Sequence, residues 1–448
     1  MDSKLFIKGA IILSLSAFIT ELLEFVINVC LARALGKEGF GLFMMILPVL
    51  GLIMTVAMFE LPIAISKLVA EYEEKGQLAG IKRTLKVSLL LSSVISLVLI
   101  VLCLIGAYFV NKLSIINFDS FYPVVAILLI IPLLSFSSIF RGYFGGKQRM
   151  NPIAIAHILR KLAQLLFIVF VLQYISNAGL EITVTGAILS IAFNELIGLI
   201  VLCMKFISAK ERNFIKEMMP TKEKIAIIKK IFRISLPTTG SRLVNVLTWA
   251  IQPFLITQAL QLSGYTSKVA TEQFGLLTGV ALTIGMFPGF IAHSLATSLI
   301  PSISEAYSKN DAFLVQDRIM KAIFVTFIYG IPCTVIMYLL ASPLTSLFFH
   351  NDNAANYLKL LTPYFFCHYL VVPLQAVLIG LGKAKATMYQ NLWTNIASFI
   401  MIILLATRPD YGMYGVIIAL NFEVLLLTLL HFFSIRSLVT LSLTAKFK

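Results

Sequence analysis

A chain of 448 residues with 59% hydrophobic and 13% charged positions holds about half the charge of an ordinary soluble domain, where roughly a quarter of positions are charged, so a soluble globule is all but excluded. The 36 Lys and Arg against 21 Asp and Glu leave a formal net charge of +15. Composition favours basic loops on one face of a membrane, rather than nucleic acid, as the place for that excess.

Crossing a bilayer core takes about 20 apolar residues per helix, and twelve such stretches are predicted: 10–32, 40–66, 86–110, 121–144, 152–175, 183–206, 232–260, 271–303, 319–341, 356–380, 387–407 and 411–434. The first carries Glu21, Glu24 and Asn28, three to four residues apart and therefore on one helix face. Its acidic centre does not suit a cleavable signal peptide, so the segment is read as a retained helix. A charge at bilayer depth costs about 2.5 to 3.5 kcal/mol, and two readings of these acids stand: a cavity function with a partner or a proton, or an ion pair that locks two helices. Glu60 lies beside Pro62 near the cytoplasmic end of the second span. Asn151, His157, Arg160 and Lys161 begin the fifth. Glu195 with Asn194 in the sixth span and Glu423 with Asn421 in the twelfth occupy roughly equivalent places and suit interhelical hydrogen bonds.

The longest polar connection, 207–231, alternates Phe214, Ile215, Met218 and Met219 with Lys210, Arg212 and Lys216. It reads as a cytoplasmic amphipathic helix on an anionic leaflet or as a solvated linker, between lobes 1–206 and 232–448. The seventh span then carries Arg242, Asn245, Trp249 and Gln252 at helical spacing. Arg242 is the only basic residue expected inside a helix body. Guanidinium suits bidentate recognition of phosphate or carboxylate, and the other reading of Arg242 is snorkelling at the cytoplasmic boundary. The eighth span is kept slim by Gly275, Gly279, Gly285 and Gly289, for close packing or for access to a cavity, and ends in a polar run of His293, Ser294, Thr297, Ser298 and Pro301.

Five cysteines lie singly in apolar segments without metal spacing, and core packing is their expected role. Neither a complete P-loop nor HExxH nor GxSxG is present, so no enzyme chemistry, metal or cofactor is expected. Counting Lys and Arg on alternate sides of the spans puts 29 of the 36 on the side of the termini and 6 opposite, which predicts cytoplasmic N- and C-termini. The halves also repeat one another. Glu38, Phe40, Gly41 and Leu42 match Glu272, Phe274, Gly275 and Leu276; Tyr72, Arg83 and Lys86 match Tyr307, Arg318 and Lys321; Gly146-Lys147 matches Gly382-Lys383. The expected fold is an all-α polytopic membrane protein of about twelve helices in two six-helix lobes, entering the membrane in the same sense.

The run Leu31-Ala-Arg33-Ala-Leu35-Gly36-Lys-Glu-Gly39-Phe-Gly41-Leu-Phe43 resembles the ARxLGxxxxGxY signature of polysaccharide flippases in the multidrug/oligosaccharidyl-lipid/polysaccharide exporter superfamily. Phe140-Arg-Gly-Tyr-Phe-Gly-Gly-Lys-Gln-Arg-Met150, Ser235-Leu-Pro-Thr-Thr-Gly-Ser-Arg-Leu243 and the stretch His293 to Ala306 resemble the stage V sporulation protein B branch. The resemblance implies two lobes around a central cavity lined chiefly by helices 1, 2, 7 and 8, and export of undecaprenyl-diphosphate-linked sugar. The chain departs from the pattern in stopping after twelve spans, where relatives often carry two more, and in having fewer cavity arginines than lipid II flippases.

The expected function is therefore a cytoplasmic-membrane flippase working by alternating access in cell-wall or spore-envelope assembly. Arg242, joined by Arg33 as the lobes rock, would hold the diphosphate. Asn28, Asn245, Trp249 and Gln252, with His293, Ser294 and Thr297, would meet the rest of the substrate, and Glu21, Glu24 and Glu60 would sense H+ or Na+ as coupling ion. Its expected partners are the lipid-linked saccharide, the bilayer and envelope-assembly proteins. The rival readings are a cation-coupled multidrug exporter of the same superfamily, favoured by the acidic residues, and a non-transporting scaffold of an envelope-assembly complex.

Overall fold

At membrane depth a backbone has no water to bond, so a chain built of long apolar stretches must satisfy its N–H and C=O groups internally. In a computed structural model, which describes residues 3–112, 122–175, 178–208, 220–309, 311–349 and 352–445, the described residues form helices without a strand. The first unit holds α1 (Ser3–Met58), α2 (Leu61–Glu74), α3 (Leu78–Lys112), α4 (Tyr122–Gly146), α5 (Met150–Phe167), α6 (Leu180–Ser208) and most of α7 (Thr221–Leu262). The second holds α8 (Ser267–Gly275, continued by the π-helical run Leu276–Leu282), α9 (Gly289–Ser308), α10 (Ala312–Leu339), α11 (Thr362–Gly380), α12 (Ala384–Met401) and α13 (Gly412–Ala445). Residues 209–219 of the expected interfacial segment lie outside the described residues.

Eleven candidate spans are found among the described residues. The first, Leu15–Glu74, is 60 residues long, about 90 Å at 1.5 Å per residue, three times the hydrocarbon thickness. It contains the first two expected crossings. Gly36 (φ 66°, ψ −173°) turns the chain inside α1, a backbone conformation that an L side chain would strain. The other ten candidates fall on the remaining ten expected spans.

Chain contacts divide the protein into Met1–Ala250 and Ile251–Lys448. The division falls inside α7 because the first part of that helix packs on the first unit: Phe59 meets Phe232 with ring centroids 5.3 Å apart, Arg83 pairs with Glu223 at 2.9 Å, and Ile231 is wholly buried with Leu61, Ile65 and Tyr143. In the second unit Leu299, Ile303, Val315, Val377 and Leu378 form the corresponding core.

Helices α4 and α5 of the first unit recur as α11 and α12 of the second at an offset of 234 residues. The pair Met150–Phe167 with its π turn Ile168–Leu172 maps onto Ala384–Met401 with Ile402–Ala406. Helix α4 closes with Arg149 N–H to Phe144 O at 2.9 Å and Gln148 N–H to Gly145 O at 3.0 Å; α11 closes with Lys383 N–H to Leu378 O at 2.8 Å and Gly382 N–H to Ile379 O at 2.9 Å. Both are Schellman caps with a left-handed residue, Gln148 (φ 56°) in one and Gly382 (φ 75°) in the other. A Cβ on Gly146 would press on Ser66 O and Val69 Cβ, and one on Gly380 on Ile300 O and Ile303 Cβ, all again 234 apart. The expected match of Gly146-Lys147 with Gly382-Lys383 is shifted: Gly382 corresponds to Gln148 rather than to Gly146. Between α6 and α13 the offset is 229: a Cβ on Gly186 would meet Leu172 and one on Gly415 would meet Ala406, which correspond at 234, so Glu195 falls within one residue of Glu423, in the roughly equivalent place expected.

The close approach of α11 to the segment after α8 gives a direct check. A Cβ on Gly285 would lie 1.9 Å from Cζ of Phe365, a fully buried ring, and Tyr369 donates to Gly285 O at 2.5 Å. Gly285→Ala should overpack this contact at a cost of roughly 1–3 kcal/mol, read as a lower unfolding temperature in detergent; an unchanged midpoint would contradict this packing.

Candidate functional site

Pro62 has no N–H, and its ring cannot follow a helical residue 58 without meeting that carbonyl. The chain accordingly breaks between Met58 and Leu61, and Pro62 starts α2 at the tolerated first turn. The break is made by two consecutive bulky residues with left-handed backbones, Phe59 (φ 46°) and Glu60 (φ 44°). Such conformations cost about 1–3 kcal/mol each and persist where surrounding interactions hold them.

What holds this one is charge. The Glu60 carboxylate is 8% exposed and accepts from Nη1 of Arg242 at 2.7 Å, whereas the Arg242 side chain is 51% exposed. One side of the guanidinium is therefore committed to the protein and the other is open. Further along α7, Trp249 lies against Gly51, where a Cβ would sit 2.7 Å from its ring, and its outer half is exposed. Asn245 is exposed and Gln252 half-buried. Spacings of three, four and three residues align Arg242, Asn245, Trp249 and Gln252 along α7.

The residues expected on α1 separate. Glu24 bonds to Lys161 of α5, Glu21 is exposed and Asn28 half-buried. Arg33 is exposed and precedes Gly36, at the far end of the helical stretch that reaches Met58, about 33 Å at 1.5 Å per residue. It does not join Arg242.

A second charged group fills the interior of the first unit. Arg160 Nη1 meets Glu195 Oε1 at 2.9 Å, and Ser137 donates to Glu195 Oε2 at 3.2 Å. Lys161 reaches Gln164 Oε1 at 3.2 Å, which also accepts from Asn194 Nδ2 at 2.7 Å. The interhelical bonding expected of Glu195 and Asn194 is present. The expectation that Arg242 is the only basic residue within a helix body is corrected: Arg160 and Lys161 stand ten and eleven residues into α5, about 15 Å from its start, and they belong to the bundle rather than to the basic loops among which they were counted. The signal was in the sequence, since two cations sit well inside an apolar stretch that has acids available on neighbouring helices. The offset of 234 that relates α5 to α12 replaces Arg160 and Lys161 with Thr394 and Asn395. The two cations of the group thus have neutral counterparts in the second unit.

In the second unit, His293, Ser294, Thr297 and Ser298 form an exposed stripe on α9. The Thr297 and Ser298 hydroxyls donate to Ser294 O at 2.7 Å and Leu295 O at 2.9 Å, so they soften the face without leaving open donors. Sequence reasoning missed a buried group on α12 and α13, in which His431 Nδ1 lies 2.7 Å from Gln390 Oε1 and Gln390 donates to Ser434 at 2.6 Å. His368 stacks on Tyr364 at 5.9 Å. Among the described residues no group of three or more His, Cys, Asp or Glu side chains could hold a metal ion.

A family model described as polysaccharide biosynthesis protein matches residues 6–305. The chain belongs to this family. A MatE model matches residues 277–404. The sporulation protein YkvU of Bacillus subtilis (strain 168) is 39% identical over 96% of this chain and 95% of its own length. Stage V sporulation protein B of the same organism is 34% identical over 100% of this chain and 86% of its length, and its lipid II flippase MurJ is 24% identical over 86% and 74%. Among solved structures, an inward-facing multidrug resistance MATE family transporter of the MOP superfamily has a TM-score of 0.78 at 16% identity, covering 97% of this chain and 99% of that one; the outward-facing conformation scores 0.66. The chain is a multi-pass membrane protein of the flippase and exporter superfamily, in the stage V sporulation protein B-like branch.

Removing one partner of a buried pair leaves the other charge uncompensated, at a cost of about 3–5 kcal/mol. Arg160→Ala should therefore sharply lower abundance and unfolding temperature, and Arg160→Ala with Glu195→Gln should recover much of the loss, as read by fluorescence-detected size-exclusion chromatography. Equal stability of the single and double variants would contradict the pairing.

Proposed function

We propose that this protein moves an undecaprenyl-diphosphate-linked saccharide outward across the cytoplasmic membrane by alternating access, in cell-wall or spore-envelope assembly. The observation that carries the reading is the half-open guanidinium of Arg242, fixed by Glu60 at 2.7 Å at the break between α1 and α2. A held guanidinium has its remaining donors oriented before the ligand arrives, which suits a diphosphate. Asn245, Trp249 and Gln252 continue the same line of α7 and offer amides and an indole edge to sugar. Asn28 is half-buried on α1, and His293, Ser294 and Thr297 give a polar face on α9 that suits an aqueous path better than lipid. Arg33, far from Arg242 along α1, is a second phosphate contact at another stage of the cycle.

Both termini are cytoplasmic in this reading, with the basic excess on that side. Glu21, exposed and without an ion pair among the described residues, is the carboxylate most open to H+ or Na+; Glu24 and Glu60 become available only when Lys161 and Arg242 turn away. The kinship with stage V sporulation protein B and lipid II flippase MurJ supports the substrate class. A cation-coupled multidrug exporter is the second reading, favoured by the MatE match and the MATE-like fold. Raised drug resistance on overexpression, unaffected by loss of the lipid-linked pathway, would select it.

The charge-swapped double variant Glu60→Arg with Arg242→Glu separates a ligand from a clamp. Arg242→Ala alone should cut flipping of a fluorescent lipid-linked saccharide in proteoliposomes at least tenfold and lower stability. The swap should return stability but not flipping, because the exposed side of the pair would then be a carboxylate. Full flipping by the swapped protein would sink the assignment of Arg242 to the diphosphate.

A further inference from the structure

On the first unit a groove of about 470 Å³ runs between α3, α4 and α6, within the range of about 300–1,000 Å³ usual for ligand pockets. Its walls are apolar, with Leu85, Leu89, Phe140 and Phe206 prominent. The Phe140 and Phe206 rings meet edge-on at 5.3 Å and form its floor. Among the described residues charge enters at one end alone: Lys82 and Lys86 line the groove, and no described carboxylate does. Four residues apart on α3, the two lysines share a face.

The dimensions select the occupant. Along α3 the lining extends from Lys82 to Ser93, eleven residues or about 16 Å, which is half of a hydrocarbon core of about 30 Å. The groove is therefore one leaflet deep, cationic at the rim and greasy below. A polyprenyl tail is longer than a leaflet and would not end with the groove, whereas a glycerophospholipid matches both its length and its charge order. The depth also lets the lysine stems follow the apolar wall while their ammonium groups stay at headgroup level.

We propose that this groove binds one anionic glycerophospholipid from the leaflet on the Lys82 side, with its phosphate on Lys82 and Lys86 and an acyl chain along Leu89, Phe140 and Phe206. The site lies within the first unit, apart from Arg242, so it does not depend on which substrate is transported. Two lysines near a headgroup give a preference of roughly tenfold or more for an anionic over a zwitterionic lipid.

The test uses the full chain in nanodiscs. The sequence has two tryptophans, Trp249 and Trp393; both are changed to Phe and Phe206→Trp is introduced as a reporter in the groove. Brominated phosphatidylglycerol should quench this reporter at a mole fraction roughly tenfold lower than brominated phosphatidylcholine, and K82Q/K86Q should remove the difference, whereas K309Q/K321Q in the other unit should leave it. Native mass spectrometry of the chain with its own tryptophans checks the result independently: one retained phosphatidylglycerol, absent from K82Q/K86Q. Equal quenching by the two lipids, a preference unchanged in K82Q/K86Q, or displacement of the brominated lipid by polyprenyl phosphate at equal mole fraction would each overturn the proposal.

Discussion

A charge in the middle of a bilayer must be paired or neutralised, and the first unit answers that requirement with ion pairs that cross between helices. Glu24 and Lys161 join α1 to α5, Arg160 and Glu195 join α5 to α6, and Glu60 and Arg242 join the break after α1 to α7. Apolar packing alone leaves membrane helices free to slide, because lipid is as greasy as leucine. These pairs fix register as well as proximity. The last of them holds Phe59 and Glu60 in left-handed backbone conformations that neither residue would adopt unaided.

The internal repeat shows where that requirement was imposed and where it was not. At an offset of 234, the bounds and π turn of α5, the Schellman cap of α4 and its glycine contacts recur in α12 and α11, yet Arg160 and Lys161 become Thr394 and Asn395 in the second unit. The scaffold was duplicated and the electrostatics were not. The first unit joins its helices by the salt bridges of buried Glu195 and Glu60; in the second, α12 and α13 are joined by hydrogen bonds of Gln390 to His431 and Ser434, and α9 presents a polar stripe.

Much of the fold was legible in the sequence because hydropathy is a strong, local signal: all twelve expected crossings lie on helices. The two turns of the first long helical stretch, at Gly36 with its positive φ and before Pro62 with its missing N–H, were less plain: the second span was expected to run through Pro62 to residue 66. The site was less legible. Arg242, Glu60 and Glu24 stood out as charges inside spans, but their partners lie 182 and 137 residues away, and spacing along one helix says nothing about which neighbour answers. Arg160 and Lys161 were misread as loop charge because they follow a polar run, although ten residues of helix already separate them from it. The Gln390–His431 group had no signal at all, since neutral polar residues in apolar helices are too common to single out.

With the cytoplasm electrically negative, each negative charge carried outward gains about 2.3 kcal/mol per 100 mV, so the anionic headgroup proposed to sit on Arg242 would need no ATP to be expelled. The most direct measurement is the flipping rate of a fluorescent undecaprenyl-diphosphate saccharide in proteoliposomes under imposed potentials and ion gradients. Flipping should accelerate as the substrate's starting side is made more negative. No flipping under any imposed potential or gradient would contradict it.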